Sequence, residues 1–165
     1  MKNLFLIVFV AAIVFACQPK PQPVVVDLTA SKAEVNTLME TYLKAFNAKD
    51  VTTLASLITD DGLYCGTDPT ELMDKKTVTD GWTMAFADTT MNFAYTVDKR
   101  EIRITSDGNS AIIMEQFTMK AIVPKIPVRL VSHAVKTADG WKLDFISWSF
   151  IPKNEDIPRI NKILE

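Results

Sequence analysis

The chain has 165 residues, of which 48% are hydrophobic and 23% are charged, and its formal net charge at pH 7 is −2. This composition is typical of one globular domain and is too apolar for a disordered chain. The weak acidic balance offers no basic surface for nucleic acid or for anionic lipid headgroups, so neither is predicted as a partner.

The first residues have the layout of an export signal. Lys2 precedes an unbroken apolar run over residues 4–16, which is shorter than the ~20 residues that a membrane-spanning helix needs. The sequence VFAC at residues 14–17 resembles a bacterial lipobox, where cleavage before the cysteine leaves it lipidated. We predict a signal peptide over 1–16 and a lipid on Cys17 that anchors the protein to a membrane of the cell envelope. An ordinary signal peptide, cleaved elsewhere, is the alternative.

A tether is predicted over residues 17–30, because QPKPQP alternates proline with polar side chains. The domain is predicted over 31–151. Its first helix is expected to begin at a capping box formed by Ser31 and Glu34, followed by apolar residues at spacings of three and four.

Two shorter helices are expected to follow, capped by Asp50 and Asp74. The stretch LYCGTDP at 63–69 predicts a short strand and a turn between them. Alternating patterns then predict four strands, at about 91–105, 111–121, 126–137 and 141–151, before an amphipathic tail over 152–165. Helices followed by an antiparallel meander indicate an α+β domain, with the first helix covering one face of a strongly curved sheet and leaving a concave pocket.

Glu115 is the only acid on an otherwise apolar face of its predicted strand, which carries Ala111, Ile113, Phe117, Met119 and Ala121. A buried carboxylate without a partner has a raised pKa and can act as a general acid or base near neutral pH. Alternatively, Glu115 pairs with Arg103 or Arg129 on a neighbouring strand, or lies at an open dimer face.

Arg129 and His133 share a face of the next strand, together with Val131 and Val135. An arginine at a cavity mouth could orient a carboxylate ligand, and His133, the only histidine, could transfer a proton. A solvated arginine and a hydrogen-bonded sheet histidine are the alternative. One histidine without an acid cluster predicts no metal site, and the scattered glycines predict no phosphate loop, so no cofactor is expected.

The strand before the turn places Tyr64 and Cys65 on opposite faces, so only one of them is expected to face the pocket. Cys65 has no basic neighbour in sequence and is interpreted as a packing residue. Asp68 is held extended by Pro69 and is expected to accept hydrogen bonds from backbone amides, although it is also a candidate base.

The order of elements and four motifs resemble the SnoaL-like branch of the nuclear transport factor 2-like cone fold. The motifs are VNTLMETYLKAFNAKD, VTTLASLITDDGLYCGTDP, MDKKTVTDGWTMAF and VKTADGWKLDFISWSF, and the resemblance covers about residues 32–151. It implies a conical domain with an apolar cavity, commonly dimeric through the sheet. The geometry of the family, in which a helix covers the mouth, makes Tyr64 and Trp82 the preferred pocket residues.

Members of this branch include cyclases, isomerases, dehydratases, ligand binders and assembly modules, so the fold does not select an activity. Because the sequence offers few candidate catalytic residues, we favour a lipid-anchored protein that binds a small, largely apolar molecule. The first alternative is an isomerase or dehydratase with Glu115 or Asp68 as base and with Tyr64 or His133 polarising a carbonyl. It requires Glu115, His133 and Tyr64 to converge on one void. A module that dimerises through its sheet is the second.

Overall fold

The computed structural model describes residues 27–165, so the predicted signal peptide, most of the tether and the lipid on Cys17 lie outside the described residues. The helices of the described part are α1 (Leu28–Asn47), α2 (Val51–Ser56), α3 (Lys75–Ala87) and α4 (Ile157–Ile163). The strands are β1 (Ile58–Cys65), β2 (Leu72–Met73), β3 (Val97–Ile104), β4 (Ser110–Phe117), β5 (Val128–Thr137) and β6 (Gly140–Phe150). Between residues 27 and 165, no helix has both the length and the apolarity to span a bilayer.

One six-stranded sheet has the order β2-β1-β6-β5-β4-β3. The meander from β3 to β6 is antiparallel, as predicted, and β2 pairs antiparallel with β1. β1 pairs with β6 in parallel. The long crossover that parallel strands need is supplied by β2, α3 and the strands from β3 to β5, which lie between β1 and β6 along the chain. α1 packs against β3 and β6, and α3 packs against β1 and α2. The predicted α+β class, with helices on one face of a sheet, is confirmed.

The predicted start of α1 is wrong. Asp27 is the N-cap, and its carboxylate accepts hydrogen bonds from two backbone amides of the first turn, at 2.9 and 3.0 Å. Ser31 is buried inside the helix, while Glu34 turns toward the sheet, where Lys136 Nζ and Trp141 Nε1 donate to its carboxylate at 2.9 and 2.8 Å. The capping-box spacing is present in the sequence, but Asp27, four residues earlier, caps the helix instead.

The caps of the next two helices are confirmed. Asp50 accepts a hydrogen bond from the Thr53 amide at 3.0 Å, and Asp74 accepts one from the Thr77 amide at 2.7 Å. Three of the four predicted meander strands are shorter than expected: β3 begins at Val97 rather than near residue 91, and β4 ends at Phe117.

β1 is longer than predicted, because it begins at Ile58 and runs through the polar residues expected to precede it. Its pairing with β6 is irregular between Ile58 and Leu63. Gly62 lies in this irregular stretch, where a β-carbon would overlap the Tyr64 hydroxyl and lie 2.7 Å from the Asp144 carbonyl oxygen. The strand can therefore approach β6 closely only with glycine at this position.

The core lies between α1 and the inner face of the sheet, where alternate residues of β4, β5 and β6 are buried. Aromatic rings form its centre. Phe46 of α1 packs against Trp148 of β6 with ring centroids 5.2 Å apart, and Tyr95 stacks on Phe117 at 3.9 Å. Phe46 and Trp148 also border a cavity beside this aromatic cluster.

Candidate functional site

A cavity of about 290 Å³ opens between α3, the end of β1, the inner face of β6 and segment 119–123. Its wall is almost entirely apolar. The aromatic residues that line it are Phe46, Tyr64, Trp82, Phe86, Phe93, Trp148 and Phe150. Concave apolar sites with few polar groups are the usual form of small-molecule binding sites.

Helix α3 supplies one wall because its apolar residues recur at helical spacing. Val78, Trp82, Ala85 and Phe86 all border the cavity, and Gly81 adds an open position where a β-carbon would meet no atom within 4 Å. Phe46 supports this wall from α1, with its ring 5.2 Å from that of Phe86.

Tyr64 and Trp82, the two pocket residues implied by the resemblance, both line the cavity. Trp82 is half-buried and meets Tyr42 edge-on at 6.4 Å. The ring of Tyr64 is buried, and its hydroxyl lies 2.8 Å from the Thr59 carbonyl oxygen and 3.2 Å from that of Leu143. Burial raises the pKa of Tyr64. Because it donates its hydrogen bond to backbone carbonyl oxygens, this hydroxyl is not placed to polarise a ligand carbonyl.

Cys65 also borders the cavity, so the expectation that only one of Tyr64 and Cys65 would do so is wrong. Alternation separates their side chains along the strand, but the cavity wraps round the end of β1, where the chain turns at Gly66. Residues from both faces of the strand therefore reach it.

Glu115 is buried on the inner face, with 1% exposure, but it is not among the residues that border the cavity. Its partner is Arg100, not Arg103 or Arg129: Arg100 Nε donates to Glu115 Oε1 at 2.5 Å. Arg100 also donates to Glu40 at 2.5 Å, which links the pair to α1. Burial raises the pKa of Glu115, and the Arg100 charge opposes that shift.

Further polar groups lie around this ion pair. Glu115 Oε2, Arg100 Nη2 and the hydroxyls of Tyr42, Tyr95 and Ser132 are buried and have no hydrogen-bond partner among residues 27–165. Burial raises the pKa values of both tyrosines, and the negative charge of Glu115 adds to each shift. Glu115 thus belongs to a polar cluster inside the core rather than to the cavity wall.

Arg129 and His133 share one face of β5, as the alternation predicts, but that face is the outer one. The buried residues of β5 are Val128, Leu130, Ser132 and Ala134, and neither Arg129 nor His133 borders the cavity. Arg129 is exposed. The predicted roles of Arg129 and His133 in a cavity mouth are therefore not supported, because the sheet separates them from the cavity.

Asp68 is exposed in the turn after β1 and does not border the cavity either. Its Oδ1 accepts hydrogen bonds from the backbone amide and the hydroxyl of Thr70 at 2.8 and 2.6 Å. These bonds lower the pKa of Asp68, so it is an ionised turn residue, as its position before Pro69 indicates. The convergence of Glu115, His133 and Tyr64 that catalysis would require does not occur.

Glu71, which is not among the site residues predicted from the sequence, also borders the cavity. It precedes β2, where Met73, two residues later, also lines the wall. The alternation of side chains along an extended segment places residues 71 and 73 on one face, but a strand of two residues is too short to show that pattern in the sequence. Elsewhere in the described chain, no group of three His, Cys, Asp or Glu side chains is arranged to hold a metal ion.

Several solved structures share this fold. An NTF2-like protein of unknown function from Pseudomonas putida KT2440 has a TM-score of 0.66 and 16% identity, covering 77% of this chain and 91% of its own. A ketosteroid isomerase-like protein from Erwinia carotovora atroseptica has a TM-score of 0.58 and 21% identity, and the match covers 73% of this chain and 96% of that protein. An NTF2-like protein from Streptomyces avermitilis, named as a candidate dehydratase, has a TM-score of 0.62 and 17% identity. The match covers 76% of this chain and 99% of that protein.

A comparison with curated proteins gives no significant sequence match. The SnoaL-like domain family, in contrast, matches residues 35–152, which is more than two thirds of the chain. This match covers most of α1, all of α2 and α3, the whole sheet and every residue that lines the cavity. The chain therefore belongs to the SnoaL-like domain family and has the NTF2-like cone fold.

Proposed function

We propose that this protein binds a small, largely apolar molecule in its cavity, and that a lipid on Cys17 anchors it in the cell envelope. The observation that carries the proposal is the cavity itself, whose wall contains seven aromatic residues and one charged residue. Burial of apolar surface against such a wall favours binding by about 25 cal/mol per Å². The anchoring rests on the export signal and the lipobox-like VFAC sequence.

The size of the cavity limits the ligand. A volume of about 290 Å³ lies at the lower end of the range for small-molecule sites. At about 30 Å³ per water-sized unit, it holds roughly ten non-hydrogen atoms. A medium-length alkyl chain or a single ring system with short substituents fits this limit.

We do not propose an isomerase or dehydratase that uses Glu115, His133 or Asp68. Two structural neighbours carry names of that kind, but their identities of 21% and 17% support only a shared fold. In this chain Glu115 pairs with Arg100 in the core, His133 lies on the outer face, and Asp68 is exposed.

A titration with 1-octanol tests binding. The protein is the predicted mature chain, residues 17–165, with Cys17→Ala, so that no lipid and no detergent competes for the cavity. Trp82 and Trp148 line the cavity, so the tryptophan fluorescence reports occupancy. We expect saturable binding that Ala85→Phe abolishes by filling the cavity.

Thr83→Phe is the matched control, because Thr83 is exposed on the same helix and does not border the cavity. It should bind 1-octanol like the parent. Equal affinity in both phenylalanine variants would show that 1-octanol binds elsewhere, and the proposal would fail.

A second candidate function, self-association, is favoured by apolar side chains on the outer face of the sheet. Ile112 and Leu63 are 58% and 48% exposed, and they lie in one row across four strands with His133 and Phe145 between them. Sedimentation of the same mature chain tests this candidate. A dimer that Ile112→Lys converts to a monomer supports it, whereas a monomer at high protein concentration rules it out.

A further inference from the structure

We propose that the ligand carries an ammonium group at one end and that Glu71 binds this group at the cavity wall. This inference rests on the proposed binding function and specifies the class of ligand. The ligand would be an apolar amine, with its hydrocarbon part among the aromatic rings and its charged end against the Glu71 carboxylate.

The charge of the wall points to a cation. Among the described residues that border the cavity, Glu71 is the only charged one, and none is basic. An apolar wall with a single carboxylate favours a ligand with one positive or hydrogen-bond-donating group and disfavours a carboxylate ligand, which would meet a like charge without a compensating partner.

The position of the Glu71 carboxylate is set by the turn. Its Oε2 accepts a hydrogen bond from the Asp68 backbone amide at 3.0 Å, and the Gly66 amide donates to the Glu71 carbonyl oxygen at 3.0 Å. The carboxylate is therefore fixed against the turn over residues 66–71, which borders the cavity.

Gly66 provides independent evidence of this close fit. A β-carbon at residue 66 would overlap Glu71 Oε2 and lie 2.6 Å from the carboxylate carbon. With glycine at residue 66 the Glu71 side chain can lie over the turn in this position, whereas a larger residue would displace its carboxylate. Gly66 itself borders the cavity. The absence of a side chain at Gly66 thus leaves space for the Glu71 carboxylate at the cavity wall.

One carboxylate oxygen remains available to a ligand. Within residues 27–165, Glu71 Oε1 makes no hydrogen bond and no lysine or arginine forms an ion pair with Glu71. Glu71 itself is only partly exposed. An ammonium group has three donors and forms charge-assisted hydrogen bonds with carboxylates, which are stronger than neutral ones.

Three probes with the same eight-carbon chain test the inference: octylamine, 1-octanol and sodium octanoate. Each is titrated at pH 7 into the mature chain with Cys17→Ala, with tryptophan fluorescence as the readout. We expect octylamine to bind about tenfold more tightly than 1-octanol, and octanoate to bind most weakly. Glu71→Gln keeps an acceptor for the Asp68 amide and removes the charge. It should therefore remove the advantage of octylamine while leaving the affinity for 1-octanol within about twofold.

Asp80→Asn is the matched control. It removes one negative charge from α3 next to Gly81, but Asp80 does not border the cavity. Octylamine should bind this variant like the parent, and an equal loss in both variants would indicate general electrostatic attraction rather than contact with Glu71.

The outcomes separate the two proposals. If none of the three probes binds, the binding function itself fails. If 1-octanol binds but octylamine binds no better, or octanoate binds best, the binding function stands and the role of Glu71 is overturned. If Glu71→Gln also loses 1-octanol, Glu71 acts only by holding the turn, and the inference is again overturned.

Discussion

Asp144 Oδ1 lies 2.7 Å from Nδ1 of His133 on the outer face of the sheet. The contact depends on an irregularity in β6. His133 pairs with Phe145 and the next residue, Ala134, pairs with Leu143, so Asp144 is an extra residue between the two pairs. Such a bulge turns Asp144 to the same side as His133, whereas regular alternation would place Asp144 and Phe145 on opposite faces. The only histidine is therefore held by an acid on the side of the sheet away from the cavity.

This arrangement predicts that His133 has no part in ligand binding. His133→Gln should leave the affinity for 1-octanol within about twofold of the parent, because the sheet lies between residue 133 and the cavity. Fluorescence titration measures it, with Ala85→Phe as the variant that should lose binding. A tenfold loss in His133→Gln would place the histidine near the ligand and contradict the structure.

Removing the hydroxyl of Tyr64 should lower stability without affecting binding. The hydroxyl donates to backbone carbonyls of Thr59 and Leu143, so Tyr64→Phe leaves buried acceptors without this donor. We expect a loss of about 0.5–1.5 kcal/mol in the free energy of unfolding, measured with urea. The affinity for 1-octanol should stay the same, because the ring that lines the cavity is retained. Unchanged stability together with weaker binding would mean that the hydroxyl contacts the ligand.

The pH dependence of stability should carry a contribution from Glu115. Burial raises its pKa in the folded protein above the ordinary value of 4.5, so the folded state binds this proton more tightly than the unfolded state does. The resulting stabilisation is complete below the unfolded pKa and is lost as pH rises through the folded pKa.

Urea unfolding of the parent and of Glu115→Gln, between about pH 4 and pH 8, measures this contribution. Relative to Glu115→Gln, the parent should lose stability as pH rises. The opposite slope would show that the Arg100 charge outweighs burial and lowers the pKa of Glu115.

If a lipid on Cys17 anchors the protein, lipidation should depend on Cys17 and not on Cys65, the other cysteine of the chain. In a bacterial host, full-length protein with Cys17→Ala should lose metabolic labelling by palmitate and should no longer carry an acyl group by mass spectrometry. Cys65→Ala is the control and should keep both, because Cys65 lies beside the cavity in the folded domain. A Cys17→Ala protein that still incorporated palmitate would refute lipidation at this residue.

Local patterns in the sequence predicted most of the fold and part of the site. Alternation placed Glu115 on a buried face and put Arg129 and His133 together, both of which the structure confirms. It did not identify Arg100 as the partner of Glu115, although Arg100 shares a face with Ile102 and Ile104. That contact depends on the register between β3 and β4, which pairs Arg100 with Glu115. The sequence does not show this register, because it shifts after Val97.

Location relative to the cavity was harder to predict, because it depends on contacts between distant segments. The cavity borders β1, α3, segment 119–123 and β6, and no single segment shows which of its faces meets the others. Bulges add to the difficulty, since the extra residue in β6 reverses the alternation that the sequence indicates for Asp144. Glu71 was missed for a simpler reason: β2 is two residues long, too short for a clear alternating pattern.

A crystal structure of the mature chain with Cys17→Ala, grown with 1-octanol, would show whether the cavity binds an apolar molecule. We expect electron density for the alkyl chain inside the cavity, in contact with Trp82 and Trp148. Density for 1-octanol on the outer face of the sheet, against Ile112 and Leu63, with none in the cavity, would contradict this expectation.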